Sequence, residues 1–495
     1  MLHGETHLRG INPPQSQFHS RGRFGRLFQG LPAFAPDNPV IRDKLLELGA
    51  VGGPMDGSDP ATNVDNETIP AGFTFFGQFV DHDLTFDPTS ILERQNDPEA
   101  IENFRTPALE LDNVYGSGPR ASRHLYDVND PAKLLVEKLD GPGSQDDMPR
   151  NSQQTALISD PRNDENVIVS QLHVAFLKFH NAIVDHLRQE EIEESQIFEQ
   201  AQRMVRWHYQ WIIVHEFLPK IVGESVVKDV LRLHPNDRLF QWRHEPFIPV
   251  EFSVAAYRFG HSQVRPGYRL NGPQGGGFAA GFFGNPPTGT PEDPNDLRGG
   301  KRARRRFVEW ENFFIMDPPL PNPNNAKPQL SKKIDTLLSS PLFTMPGGAP
   351  GVQPAGSLPA SLAARNLLRG LALGLPSGQA MAQRLRVKIL KDDHLEDLRK
   401  FKVGFERSTP PWFYMLREAD VFSKGEKLGP VGARIVAEVF IGMLQGDRQS
   451  FLNANPNWRP ELANEKGEFN ILDLLKFAGV PLSQPPAPPT PPPAP

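Results

Sequence analysis

The chain has 495 residues, 38% apolar and 23% charged, enough for one large core or two ordinary domains and too polar for a membrane-embedded protein. Its net charge of −6 gives no general attraction to nucleic acid or an anionic membrane. The lack of cysteine excludes disulfides, thiolate ligands, cysteine zinc sites and catalytic thiols. The 51 prolines predict long irregular connections between regular elements.

Residues 1–70 are turn-rich, and GRFGRLFQGLPAF reads as part of an N-terminal arm wrapping a core. The opening MLHGETHLRGINPPQSQF has neither a basic start nor an apolar run, so no secretory leader is expected. Cytoplasmic location is the default, with leaderless export as the other route. No stretch approaches the roughly 20 apolar residues of a membrane span. Phe73 to about Leu84 is compact and aromatic, and Gln78 and His82 fall on one helical face. Leu172, Phe176, Phe179, Ile183 and Leu187 form a buried stripe that predicts a helix over about 165–187. A second helix is predicted over about 194–217, ending before Pro219, with shorter ones near 252–261, 358–370, 392–399 and 431–444. Lys301, Arg302, Arg304, Arg305 and Arg306 read as a solvated loop or element start, or else as a nucleic-acid or partner patch. The core domain is placed at 71–480. The tail 481–495, PLSQPPAPPTPPPAP, is expected to be disordered or polyproline II.

Four segments carry candidate chemistry. In FGQFVDHDLTFDP, Asp81, His82 and Asp83 are consecutive and point about 100° apart on a helix. If Asp81 and His82 face a cavity, Asp83 faces away and needs its own partner, such as a hard cation; a solvated helix end is the plainer reading. SDPRNDEN sets Arg162 and Glu165 three apart after an Asp160–Pro161 cap, which also fits a helix start with surface charges. AAYRFGHSQVRPGYRLN sets Arg258 and His261 three apart, with Gly260 leaving room for something flat, although a structural histidine fits too. SLAARNLLRGLALGLPSGQ puts Asn366 and Arg369 on one face of an apolar helix, where a buried Asn needs a partner.

Taken together and in this order, over about 70–460, these segments resemble the animal-type haem peroxidase family, the superfamily of myeloperoxidase, peroxinectin and cyclooxygenase. TPALELDNVYGSG, GFERSTPPWFYMLREADVF and LGPVGARIVAEVFIGMLQGD add to the likeness and look like bacterial members. The resemblance implies a mainly α fold with long loops and few short strands, holding haem b. It implies that His82 is the distal histidine, Gln78 its pocket neighbour, Arg162 the distal arginine and His261 the proximal iron ligand. Asn366 would accept the proximal imidazole N–H, Arg258 and Arg369 would lie near the haem propionates, and Asp81 and Glu165 would form ester links to the haem. Asp83, Thr106, Ala108 through its carbonyl, Glu110 and Asp112 would bind Ca2+, an oxygen-only set.

The implied activity is reduction of hydrogen peroxide and oxidation of small organic donors or halides through a ferryl porphyrin-radical state. His82 would shuttle the proton and Arg162 would stabilise the departing negative charge. Some positions depart from the family pattern. Asn166 stands where myeloperoxidase has the methionine of a third covalent link, Glu110 and Asp112 replace Asp and Ser, and RGLALGLPSGQ replaces RGRDHGLP. A fatty-acid dioxygenase on the same fold would need a tyrosine three residues before the proximal histidine. That position is Arg258, and the adjacent Tyr257 would point elsewhere. A non-catalytic adhesion module is opposed by the intact His82, Arg162 and His261 set and by the lack of an RGD motif. No nucleic-acid partner is expected, and the oligomeric state stays open.

Overall fold

The computed structural model describes residues 24–85, 105–139, 146–242, 245–272, 277–282, 288–290, 293–303, 305–316, 327–345 and 359–482. Expectations for residues 1–23 of the arm, for Arg304 and for residues 483–495 of the tail lie outside them. Among the described residues the helices are, in order, α1 (Pro39–Leu48), α2 (Gly72–Leu84), α3 (Asp112–Tyr115), α4 (Gly118–Ala121), α5 (Val167–Gln189), α6 (Glu194–Ile212), α7 (Leu218–Val222), α8 (Glu224–Arg232), α9 (Val250–Val254), α10 (Leu362–Ala372), α11 (Gly378–Leu385), α12 (Pro411–Ser423), α13 (Pro430–Gly446), α14 (Phe451–Ala454) and α15 (Ile471–Phe477). The fold is mainly α, as expected.

Strands are short and pair only in twos. β1 (Phe24–Gly25) runs parallel to β5 (Ile248–Pro249), and β2 (Asp65–Pro70) antiparallel to β8 (Leu330–Lys332). β3 (Glu137–Lys138) pairs with β4 (Asp146–Asp147), and β6 (Gly267–Arg269) with β7 (Ala279–Gly281). These ribbons and single side chains tie distant segments to the helices. The buried carboxylate of Glu251 accepts the amides of Leu27 and Phe28 at 3.0 and 3.3 Å, fixing residues 24–28 against α9.

At the centre lies α2, whose sequence GFTFFGQFVDHDL is buried on almost every side, as a helix apolar all round must be. Phe79 stacks on Phe176 of α5 with ring centroids 4.7 Å apart, and Phe76 meets Tyr209 of α6 edge-on at 6.2 Å. Removing a fully buried ring such as Phe79 costs about 3–5 kcal/mol, so α2 is held rigidly between its neighbours. By length and composition alone α5 is the one described helix that could cross a membrane. Its most apolar window is 83% buried inside the fold.

Two other expectations are corrected. The helix over 194–217 does not stop before Pro219: it widens into a π turn at Ile213–Phe217 and continues as α7 to Val222. Pro219 has no N–H to donate back into the preceding turn, and the wider π turn just before it accommodates that gap. Nor is the basic cluster solvated throughout. Arg302 is buried against Asp147, and Arg306 is buried on backbone carbonyls that include Asp296 at 2.9 Å, because Asp and carbonyl groups fold back to meet them.

Candidate active site

The last turns of α2 and the 3-10 turn Pro161–Asp164 build one wall. Asp160 caps that turn, accepting the Arg162 amide at 2.9 Å, and its carboxylate grips the guanidinium at 3.0 Å (Nε) and 2.7 Å (Nη2). The same guanidinium donates to the carbonyl of His82 at 3.2 Å and to that of Thr85, which locks the turn to α2. Burial pushes the Asp160 carboxyl up, but Arg162 and then Arg105 outweigh it and hold the group well below its ordinary range.

His82 is buried, with Nδ1 2.8 Å from the amide oxygen of Asn163. An amide oxygen can only accept, so His82 carries its proton on Nδ1 and keeps a lone pair on Nε2. The Asn163 amide nitrogen continues the chain to His173 Nδ1 on α5, at 3.0 Å. Burial, reinforced by Arg162, brings the His82 pKa down to about 3. Beside it, Gln78 donates to Glu165 and accepts from Asn166 at 3.2 Å, while Asn166 also caps α5. Burial pushes the Glu165 pKa up to about 7 against the pull of Arg162, and burial raises Asp81 as well.

The opposite wall comes from the 3-10 turn Ala256–His261 and from α10. Asn366 on α10 sets its amide nitrogen 2.7 Å from His261 Nδ1 and its oxygen 3.0 Å from Arg258 Nη1. Sequence reasoning put the Asn366 oxygen on the histidine; the structure gives that oxygen to the guanidinium instead. The indole of Trp412 donates to the Arg258 carbonyl at 3.1 Å and its ring backs His261 edge-on at 6.3 Å. Burial and Arg258 lower the His261 pKa to about 3, while burial and Arg369 lower that of Arg258 to about 10. A Cβ placed on Gly260 would meet nothing within 4 Å, so space remains there.

Asp81, Thr85 and Arg162 from the first wall and Arg258 and Arg369 from the second line a single cavity of about 130 Å³. The larger cavities, about 760 and 580 Å³, lie elsewhere; size is the wrong guide here, because only the small one gathers residues from both histidine-bearing walls. Asp83 points away, as the helix argument requires. It lies beside Asp112, accepts the Tyr209 hydroxyl at 3.2 Å and is fully buried. Burial first, then neighbouring acids, raises both carboxyls, although Arg105 opposes this at Asp112. Asp83 Oδ1 and Asp112 Oδ2 have no hydrogen-bond partner, and Asp112 Oδ1 meets Arg105 as an ion pair at 3.2 Å. Thr106, Ala108, Glu110 and Asp112 line the 760 Å³ cavity, which Asp83 does not reach. Among the described residues no three His, Asp or Glu side chains converge as a metal cluster.

Sequence reasoning missed Asn163, His173 and Trp412 and read Asp160 only as a cap. Asn163 lay inside a quoted segment, but nothing marked it out from the charged residues around it. Residues 92–277 match the model of the animal haem peroxidase family. The peroxidase-like protein of Margaritifera margaritifera is 27% identical over 274 residues, 43% of this chain and 34% of that protein. Peroxidasin of Drosophila melanogaster is 24% identical over 414 residues, 76% of this chain and 25% of that protein. The chain thus spans about a third or less of the length of these curated relatives. Among solved structures, peroxidase A from Dictyostelium discoideum superposes with a TM-score of 0.63 at 18% identity, over 94% of this chain and 95% of that one. A fatty acid alpha-dioxygenase from Oryza sativa gives 0.59 at 14% identity, over 94% and 80%. Identities this low establish the fold alone, and none of these proteins bears on a bacterial affinity. The matched segment and the shared fold make this chain similar to animal haem peroxidases over residues 92–277 and alike in fold along most of its length.

Proposed function

We propose that this protein is a peroxidase that reduces hydrogen peroxide and oxidises small organic donors or halides, using a haem b bonded through His261. The observation that carries the reading is His82 held by Asn163 beside Arg162. The residues suit a haem: a buried imidazole, open space at Gly260, and guanidiniums at 162, 258 and 369 around one cavity that can meet two propionates. At about 130 Å³ the cavity is below the roughly 300 Å³ of ordinary ligand sites, so these long side chains must swing aside for a macrocycle. The bound haem would supply the iron on which peroxide binds and the redox equivalents for donor oxidation.

The protein's own groups would handle the proton and the charge. His82, neutral above pH 3 or so, presents Nε2 as the acceptor for a peroxide proton. Once protonated in so buried a place it gives the proton up readily, which suits delivery to the departing oxygen. Arg162, already aimed by Asp160, faces the negative charge that grows there. Asp81 and Glu165, both protonated more easily than ordinary carboxyls, are the groups for ester links to the haem. Asp83 and Asp112, with Glu110, Thr106 and the Ala108 carbonyl, are the candidates for Ca2+, and the orphaned carboxylate oxygens support this.

A fatty-acid dioxygenase is the second reading, favoured by the likeness to the Oryza sativa fold. It needs a free tyrosine hydroxyl beside the haem. Here Tyr257 donates to the Gly77 carbonyl at 3.1 Å and stacks on Phe252 at 4.9 Å. The test is guaiacol oxidation with peroxide against oxygen uptake with linoleate, both on haem-loaded protein, followed by acid-acetone extraction to detect covalent pigment. Peroxide-dependent guaiacol turnover is expected; oxygen uptake alone would sink the peroxidase reading.

A further inference from the structure

A cavity of about 580 Å³ shares no residue with the haem constellation. Five arginines line it: Arg26 just after β1, Arg238 in the loop after the 3-10 turn Pro235–Asp237, Arg384 and Arg386 at the end of α11, and Arg434 on α13. The chain as a whole is acidic, so this concentration of positive charge is local. Two carboxylates line the same cavity, Asp237 and Glu438. Glu438 is already engaged, pairing with Arg434 and accepting the Phe240 amide at 2.9 Å.

Among the described residues no carboxylate pairs with Arg26, Arg238, Arg384 or Arg386. Arg26 rests on the carbonyls of Leu373 and Gly374, at 2.6 and 3.5 Å. Arg238 is only 8% exposed, donates from Nη2 to the Leu233 carbonyl at 3.1 Å, and leaves Nε without any partner. A buried guanidinium with an orphaned donor, whose neighbouring carboxylate Glu438 is already engaged by Arg434 and the Phe240 amide, is unfavourable unless something supplies the missing acceptor. Arginines brought to one cavity from separate segments suit a dianion with several oxygens, which phosphate offers and a single carboxylate does not. Leu27, Leu239, Phe247 and Leu385 add an apolar wall, and the volume falls in the range of small-molecule sites.

We propose that this cavity binds an organic phosphate, a molecule of nucleoside-diphosphate size with a phosphate dianion on the arginines and an apolar body on the wall. The site is independent of the haem reading. It is tested by calorimetric titration of the full chain with adenosine diphosphate and with pyrophosphate. Saturable one-to-one binding is expected, tighter for the nucleotide. Arg384 and Arg386 are exposed, so R384S/R386S should keep the fold and weaken both ligands about tenfold or more. R369S, which alters the other arginine-lined cavity, should leave binding unchanged. R238L, if its melting temperature shows it folded, should abolish binding.

Absence of saturation, or equal affinity in R384S/R386S, overturns the proposal, and loss in R369S alone would place the anion in the haem cavity instead. Pyrophosphate binding as tightly as the nucleotide would refute the role given to the apolar wall.

Discussion

Both walls of the candidate active site pair a histidine with an asparagine, and the two pairs are built in opposite senses. Asn163 offers its oxygen to His82 and fixes the proton on Nδ1, whereas Asn366 offers its nitrogen to His261 and fixes the proton on Nε2. The His82 imidazole is therefore already set as a proton acceptor. If His261 holds a haem iron as proposed, it would bond the iron through Nε2 only after the Asn366 amide turns over, and that turn would remove the acceptor that Arg258 now uses. On the proposed reading, the His82 wall is preset by protein contacts alone, while the His261 wall would be completed by its ligand, which would free Arg258 to meet a haem carboxylate.

The sharpest way to break this comparison is to remove each imidazole. His261→Ala should abolish haem binding, read as loss of the visible absorption band on reconstitution, while His82→Ala should keep the band. His82→Ala should instead lower peroxide-dependent turnover by about 10²–10⁴-fold, the usual range for a lost acid–base group. Loss of the band in both variants, or in neither, would erase the distinction between the walls. The asparagines give a smaller, second contrast. Asn366→Leu should weaken haem affinity by about 10–100-fold, and Asn163→Leu should leave affinity intact while lowering kcat. Equal effects of the two on affinity would mean that both walls merely scaffold the haem.

The smallest expected effect is on stability. His180 on α5 bonds the Tyr115 hydroxyl at 3.1 Å and the Ala132 carbonyl at 2.8 Å; His208 on α6 bonds the Met204 carbonyl and the Leu462 amide at 2.7 and 3.3 Å. Each uses one nitrogen as donor and the other as acceptor, so each is satisfied only when neutral, and burial lowers both pKa values to about 4. A depressed folded pKa means that the unfolded chain takes up protons first. The contribution is full above about pH 6.5 and is lost as pH falls toward 4. Calorimetry should show the melting temperature dropping across that window; a flat profile there would contradict the neutral, doubly bonded assignment.

Much of this was legible in the sequence, but unevenly. The stripe on α5 survived because Leu172, Phe176, Phe179, Ile183 and Leu187 are all buried on one face, which periodicity reports, and the aromatic density of α2 survived because that helix is buried on almost every side. α12 was not among the expected helices; PPWFYMLREADVFS opens on two prolines, and Pro411 sits at its first helical position, where proline is tolerated. Long-range polar partners such as Asn163 to His173 leave no periodic trace. The orientation of the Asn366 amide depends on Arg258, more than a hundred residues away in the chain.

Asp160 holds two guanidiniums at once, Arg162 and Arg105, each at 2.7 Å, and Arg105 also touches Asp112. A divalent ion seated between Asp83 and Asp112 would repel Arg105 and press it onto Asp160, leaving Arg162 with less of that carboxylate and more freedom toward an incoming oxygen anion. Ion occupancy and peroxide handling would then be coupled through one shared acid, and stripping the ion should slow turnover before it loosens the fold.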